Sequence, residues 1–328
     1  MSIFDDCVWE DLISVDIDWF DKYFSAPCPV GELKVRLKIL PLKFSGTKQE
    51  TLALVEKLAD NIKNYIFDKK QLELYERENV DPFRKALTFF GETNPVNDGK
   101  YGELILYMLV ETLLKVPMVS HKLQLLTNVN DQVKGGDGIF FGSYRQQLSI
   151  LIGESKIYQS LASATDSALD SLDRFHGAYS GATLSHELFI ARSNISQNFS
   201  VDQFSSLLDH LNPSTDEYRS CIMVHPVLIV FDAKKIEEIE VAALSRAHAE
   251  QLLDDWLKES GAEEFRAIEE KLEKYPELKK VYLEFLFIPL VNVGNFKRSL
   301  YKAIHGVEYV DRSTEKVDKK QGRKGKAK

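Results

Sequence analysis

Cysteine is scarce in this 328-residue chain, with Cys7, Cys28 and Cys221 the only three. Few, odd in number and widely spaced, they exclude a disulfide framework and suit a reducing compartment. No Cys/His spacing suits zinc, and the seven histidines are scattered. Long apolar runs free of charge are also missing, so no segment reads as a membrane span. The start, Met1-Ser2-Ile3-Phe4-Asp5-Asp6, lacks the basic region of a signal peptide. A cytoplasmic protein is the expectation. Two familiar phosphate and metal loops are absent as well. The glycines at Gly135 are not followed by the Gly-Lys-Ser/Thr of a P-loop, and a calcium loop starting at Asn128 would need glycine where Val133 stands.

Positive charge is in deficit: 42 Lys and Arg face 50 Asp and Glu, a net charge of −8. Residues 311–328 hold eight basic and three acidic residues, +5, which leaves −13 for residues 1–310. The basic tail reads as disordered and suited to nonspecific nucleic-acid contact or simply to solubility. So acidic a body approaches a polyanion poorly by itself.

What the chain does have is a hairpin pattern. Gly135-Gly136-Asp137-Gly138-Ile139-Phe140-Phe141 is followed, after the polar Ser143-Tyr144-Arg145-Gln146-Gln147, by Leu151-Ile152-Gly153-Glu154-Ser155-Lys156. Opposed residues of an antiparallel hairpin have a constant number sum. Placing Asp137 opposite Glu154 centres the turn between Arg145 and Gln146, inside the polar break. Period two then puts Glu154 and Lys156 on one face and Ser155 on the other. Converging carboxylates repel unless a cation lies between them, and hard divalent ions prefer oxygen ligands. Such a trio suits metal-dependent phosphodiester hydrolysis, with Lys156 orienting water and offsetting transition-state charge. Ser155 would offer at most its backbone carbonyl. Glu103, in the first turn of a helical run from Tyr101 to Val116, is a candidate third ligand or an acid that merely complements the helix dipole. Asp137 has its own plain reading, a turn residue among glycines.

A helix bearing Glu, a strand bearing Asp and a strand bearing Glu-x-Lys together resemble the PD-(D/E)XK nuclease core, without its eponymous proline. The Gly-Asp-Gly-Ile and Gly-Glu-Ser-Lys pair resembles more closely the HamA family, nuclease subunits of Hachiman anti-phage defence systems. The resemblance spans roughly Gly99 to His305. It implies a restriction-endonuclease-like α/β fold, a mixed sheet flanked by helices, and metal-dependent cleavage of DNA with Mg2+ or Mn2+. It also implies a HamB-like helicase partner. Carried over by position, Asp137 and Glu154 are metal ligands, joined less securely by Glu103, and Lys156 is the catalytic lysine. Two alternatives stand beside it: a noncatalytic adaptor of a helicase complex, and a nuclease acting on RNA.

The rest of the chain fits an α/β organisation in three parts: a smaller N-terminal α+β interaction or regulatory domain (1–95), the nuclease-like domain (96–310) and the tail (311–328). In the first, Glu32 to Phe44 alternates as a strand, and Thr47-Lys48-Gln49-Glu50 reads as a capping box for a helix to about Phe67. Tyr158 to Phe175 is helical, with Asp166, Asp170 and Asp173 on a solvated face. Arg174, His176, Gly177, Gly181, Arg192 and Asn194 form a polar stretch open to a DNA backbone. His186 and His225 are further histidines downstream of the motif that could contact DNA or substrate, and these, like His176, read first as structural or surface histidines. Cys221 to Phe231 is a buried strand whose Pro226 argues for an edge, a bulge or a later start. Residues Ile236 to Tyr275 are two helices broken at Gly261. Leu283 to Val293 is a strand, and Asn295 to His305 a closing helix carrying Lys297, Arg298 and Lys302.

Overall fold

The computed structural model describes residues 3–310 apart from 32, 92, 121–135 and 177–180. Glu32, Asn128, Val133, Gly135, Gly177 and the basic tail therefore lie outside the described residues. The strands are β1 (Cys28–Val30), β2 (Val35–Ile39), β3 (Phe44–Ser45), β4 (Lys48–Gln49), β5 (Ile139–Tyr144), β6 (Gln147–Ile152), β7 (Glu154–Tyr158), β8 (Ile222–Asp232) and β9 (Tyr282–Leu290). Helices α1 (Trp19–Tyr23), α2 (Thr51–Asp60), α3 (Ile62–Ile66), α4 (Lys69–Arg77), α5 (Pro82–Phe90) and α6 (Lys100–Leu109) precede the hairpin. After it come α7 (Leu161–His176), α8 (Gly181–Ser193), α9 (Val201–His210), α10 (Asp216–Ser220), α11 (Lys234–Ala242), α12 (Arg246–Leu272) and α13 (Val293–His305). Among the described residues no helix is long and apolar enough to cross a membrane.

Seven strands form one mixed sheet in the order β1-β2-β9-β8-β6-β5, with β7 following β6 along the same edge of β8. β8 pairs in parallel with β6, β7 and β9, and β2 in parallel with β9, while β1/β2 and β5/β6 are antiparallel. Strand period two divides the core cleanly. Leu228, Val230, Leu286 and Ile288 enter a cluster with α2, α3 and α6, whereas Val227, Ile229, Phe285 and Phe287 enter another with α7, α9 and α12. A strand covered on both faces must be apolar throughout, which is why β8 and β9 read as unbroken hydrophobic runs.

Sheet and core both run across the boundary expected at residue 95. β2 extends the sheet through β9, and Leu58 and Tyr65 share a cluster with Leu106 and Leu300. The expected capping box is also displaced: Lys48 and Gln49 form β4, and Glu50 caps α2 by accepting the amide of Ala53. The helix expected to reach Phe67 breaks at Asn61, whose side-chain amide takes the carbonyl of Lys57. Gly261 does not break a helix. It lies inside the 27-residue α12, where a Cβ would press on Val30 at 3.3 Å, so glycine there lets α12 approach β1, and the break falls at residues 243–245 instead. Tyr158 ends β7 rather than opening α7.

Pro226 lies in the middle of a central strand and not at an edge. Its neighbour explains this. β6 and β7 follow β8 with one constant offset, Leu151 beside Val224 and Glu154 beside Val227, and their ladder lapses opposite His225 and Pro226. A residue without N–H is tolerated where no ladder donor is required.

One buried acid fastens the N-terminal segment to this body. α6 runs on into a π-helical turn, Val110–Leu114, that points Glu111 inward. Its carboxylate accepts the amides of Ser14 (2.8 Å), Val15 (3.1 Å) and Met118 (3.1 Å). Burial pushes its pKa up to about 7 against these donors. Glu111→Ala would orphan two buried donors and a part-buried one at once, and we expect it to cost about 3–5 kcal/mol in urea unfolding.

Candidate functional site

The hairpin has the register expected from its sequence. Ile139 faces Ile152 and Tyr144 faces Gln147, and the turn centres on Arg145 and Gln146. Both turn residues have positive φ, 52° and 63°, the geometry of a type I′ turn usually given to Asn-Gly. Arg145 is held there by a hydrogen bond to the carbonyl of Leu33 and by the rings of Tyr144 and Tyr282. The pairing extends past β5: Asp137 N–H donates to the carbonyl of Gly153, and Gly153 N–H to that of Gly138. Asp137 is thus brought beside the Gly153-Glu154 junction.

Beyond that junction the polar groups divide. The Asp137 carboxylate accepts the amide of Ser155 at 2.7 Å and its hydroxyl at 2.5 Å. Ser155 therefore holds Asp137 with N–H and O–H, which corrects the carbonyl-only role expected of it. Glu154, 3% exposed, turns to Lys156 and to Ser171 of α7. Burial raises its pKa, while Lys156 and then Ser171 pull it back. Glu103 is buried in the first turn of α6 and accepts the hydroxyl of Tyr65 at 2.7 Å. The Tyr65 pKa is raised by burial first and then by the negative charges of Glu103, Asp137 and Asp98.

These acids fit a hard divalent ion in kind, because every donor is an anionic oxygen. Among the described residues, however, no three His, Cys, Asp or Glu form a group that could hold a metal ion. Glu103, Asp137 and Glu154 each turn instead to donors of the protein itself. Tyr65 and Asp98 escaped the sequence reading. Tyr65 lies 38 residues before Glu103 and Asp98 in a turn, and neither carries a motif.

A histidine pair closes the ladder lapse behind Glu154. His225 is fully buried, and its Nδ1 lies 2.9 Å from the carbonyl of Ile152. A carbonyl only accepts, so Nδ1 donates and Nε2 is left to accept from His176 Nε2 at 2.6 Å. Neither histidine is a free surface group awaiting DNA. Of the polar stretch, Arg174 is exposed and its charge reaches Glu154, Asn194 bonds back to its own helix, and His186 is exposed. Asp166 and Asp170 bond to Lys271 and Tyr275, which ties α7 to the α12 end of the fold.

A cleft of about 650 Å³ opens beside Lys156 and Ser155, between the turn at 95–99 and the start of α13. Lys297 and Arg298 line its far wall. The family model for HamA matches residues 15–304. The chain belongs to the HamA family. That match covers the N-terminal strands as well as the hairpin, in keeping with one continuous sheet. No curated protein matches this member of the HamA family.

Burial, then the neighbouring His176, lowers the His225 pKa from the ordinary 6.5 to about 3. A base depressed in the folded state binds its proton in the unfolded chain first, so stability is lost as pH falls from about 6.5 towards 3. We expect one proton's contribution, about 1.4 kcal/mol per pH unit, to disappear from urea midpoints in His225→Gln.

Proposed function

We propose that this chain is a metal-dependent deoxyribonuclease of the PD-(D/E)XK type, the effector subunit of a helicase-coupled Hachiman anti-phage complex. The observation that carries this reading is the Glu154–Lys156 ion pair on a strand that borders a cleft, with Asp137 docked on the serine between them. Membership of the HamA family supports it. Asp137 and Glu154, with Glu103, would hold Mg2+ or Mn2+. Such an ion, when bound, polarises the scissile phosphate and lowers the pKa of water.

The side chains supply the rest. Ser155 fixes the Asp137 carboxylate with two donors, and Tyr65 fixes Glu103, so neither needs to reorganise when charge arrives. Lys156 keeps an ammonium beside Glu154, where it can orient water and offset the charge of a phosphate oxygen. Burial on the α7 side keeps bulk water from Glu154. An acidic body makes unaided capture of DNA poor, which is the reason a HamB-like helicase is proposed to deliver it.

Plasmid cleavage in Mg2+ or Mn2+, by the isolated chain and by the complex, tests the reading. Glu154→Ala and Lys156→Ala are each expected to slow cleavage at least about 100-fold. Wild-type rates in both would refute the assignment. A second reading, a noncatalytic adaptor, is favoured by the absence of a three-carboxylate group among the described residues. Calorimetric metal titration separates the two: a nuclease centre binds a divalent ion and loses it in Asp137→Ala, and an adaptor binds none. Labelled DNA and RNA substrates compared side by side decide the sugar.

A further inference from the structure

β7 has a sheet neighbour on one side only. It pairs with β8, while β6 ends at Ile152 and β5 pairs with β6 alone among the described residues. The ladder fixes where its backbone groups point. Ala233 N–H donates to the Leu290 carbonyl and Asp232 N–H to that of Gln159, so odd-numbered residues of β8 face β9 and even-numbered ones face β7. In a parallel pair of this register Glu154, Lys156 and Tyr158 turn their N–H and C=O groups to β8, and Ser155 and Ile157 turn theirs outward. The Asp137 carboxylate accepts the Ser155 N–H from that outer side. Past it the edge is open. Among the described residues nothing bonds the Ile157 N–H or the carbonyls of Ser155 and Ile157.

The cleft runs along this edge. Every residue from Ser155 to Gln159 lines it, although successive side chains of a strand point to opposite faces, so the cleft lies against the backbone itself. Its walls are the turn at 95–99 and the start of α13, braced by Lys297, which donates to the Val96 carbonyl at 3.1 Å. Unpaired rows of N–H and C=O groups are templates for a further strand, and proteins usually blunt or cover them. Five residues of strand span roughly 16 Å, so about 650 Å³ corresponds to a cross-section of roughly 40 Å², close to the roughly 4.8 by 10 Å that one strand fills in a packed sheet.

Charge selects the segment. Lys297 and Arg298 stand on the α13 wall, and Asp98, the one acid of the lining, already accepts the Lys100 amide at 2.9 Å. Arg298 is exposed and has no ion-pair partner among the described residues, in a chain of net charge −8. The chain's own basic end, +5 over residues 311–328, is repelled by such a wall. A nucleic-acid strand brings no repeating N–H and C=O groups to pair with Ser155 and Ile157. We propose that the outer edge of β7 receives an extended acidic segment of a partner protein, which adds one strand to the sheet and sets carboxylates on alternate residues against Lys297 and Arg298. Neither a metal ion nor cleavage enters this reading, so it stands or falls apart from the nuclease assignment.

Fluorescence anisotropy of the full chain in EDTA, with fluorescein-labelled Val-Glu-Val-Glu-Val-Glu as the probe, tests it together with amide exchange at Ile157. The peptide should bind and slow exchange of the Ile157 N–H at least about 10-fold, with the amides of β5 unchanged. Only alternate amides of an added strand face β7, so N-methylation of one alternate set in the peptide should abolish binding and N-methylation of the other should not. In Arg298→Glu, an exposed change that leaves the Lys297–Val96 bond in place, affinity should fall at least about fivefold, while Val-Lys-Val-Lys-Val-Lys should bind better than it does to the wild type. No binding at about 1 mM peptide, equal loss from both methylated sets, or labelled oligothymidylate protecting Ile157 in the peptide's place would overturn the proposal. So would an Ile157 amide already protected in the free chain, since this chain or a second copy would then fill the edge itself.

Discussion

A missing backbone N–H organises the candidate site. Pro226 cannot donate to the neighbouring strand, so the β6/β7 track lapses where it passes His225 and Pro226 and resumes at Glu154 with its offset intact. His225 takes the Ile152 carbonyl with a side-chain nitrogen, and Gly153 accepts the tight passage, where a Cβ would lie 2.6 Å from Leu106. The result is a strand that leaves the hairpin without losing register. It carries Glu154, Ser155 and Lys156 beyond the reach of β5 while Asp137 follows beside them.

Around that strand the two sheet faces divide the polar work. α7 and α12 cover the side where Glu154 meets Ser171, and α3 and α6 cover the side where Glu103 meets Tyr65. Buried carboxylates are tolerated because each has a donor of its own. The same rule holds away from the site. Glu111 gathers three amides, and Glu284 in β9 accepts the Tyr144 hydroxyl at 2.6 Å and pairs with Lys38 at 2.7 Å. These acids join the first residues of the chain to strands that follow much later. A separate N-terminal unit would not need them.

Much of the hairpin was legible because it obeys local rules. Two apolar runs with one polar break admit a single two-residue turn that keeps both apolar faces buried, so Arg145 and Gln146 could be named without glycine at either position. β8, β9, α7 and α13 were legible for the same reason, since each carries its period along its own length. The misreadings arose where a long-range neighbour decided. Gly261 resembles a helix break until β1 is seen pressing on it, and Pro226 resembles an edge marker until its partner strand is seen to lapse there. Glu50 rather than Thr47 caps α2 because β4 claims Lys48 and Gln49.

Sequence by itself determined the α/β class, the hairpin register and the presence of Asp137, Glu154 and Lys156 at one end of it, because strand period and turn position are local properties. Only the tertiary structure decided which group each of these side chains meets. Ser155 takes Asp137, Ser171 reaches Glu154, and Tyr65 holds Glu103. Those partners come from a strand and two helices scattered along the chain, and a buried charge settles on whichever donor the packing delivers. The cleft between the turn at 95–99 and α13 is of the same kind, a space that exists only once two segments some two hundred residues apart are brought face to face.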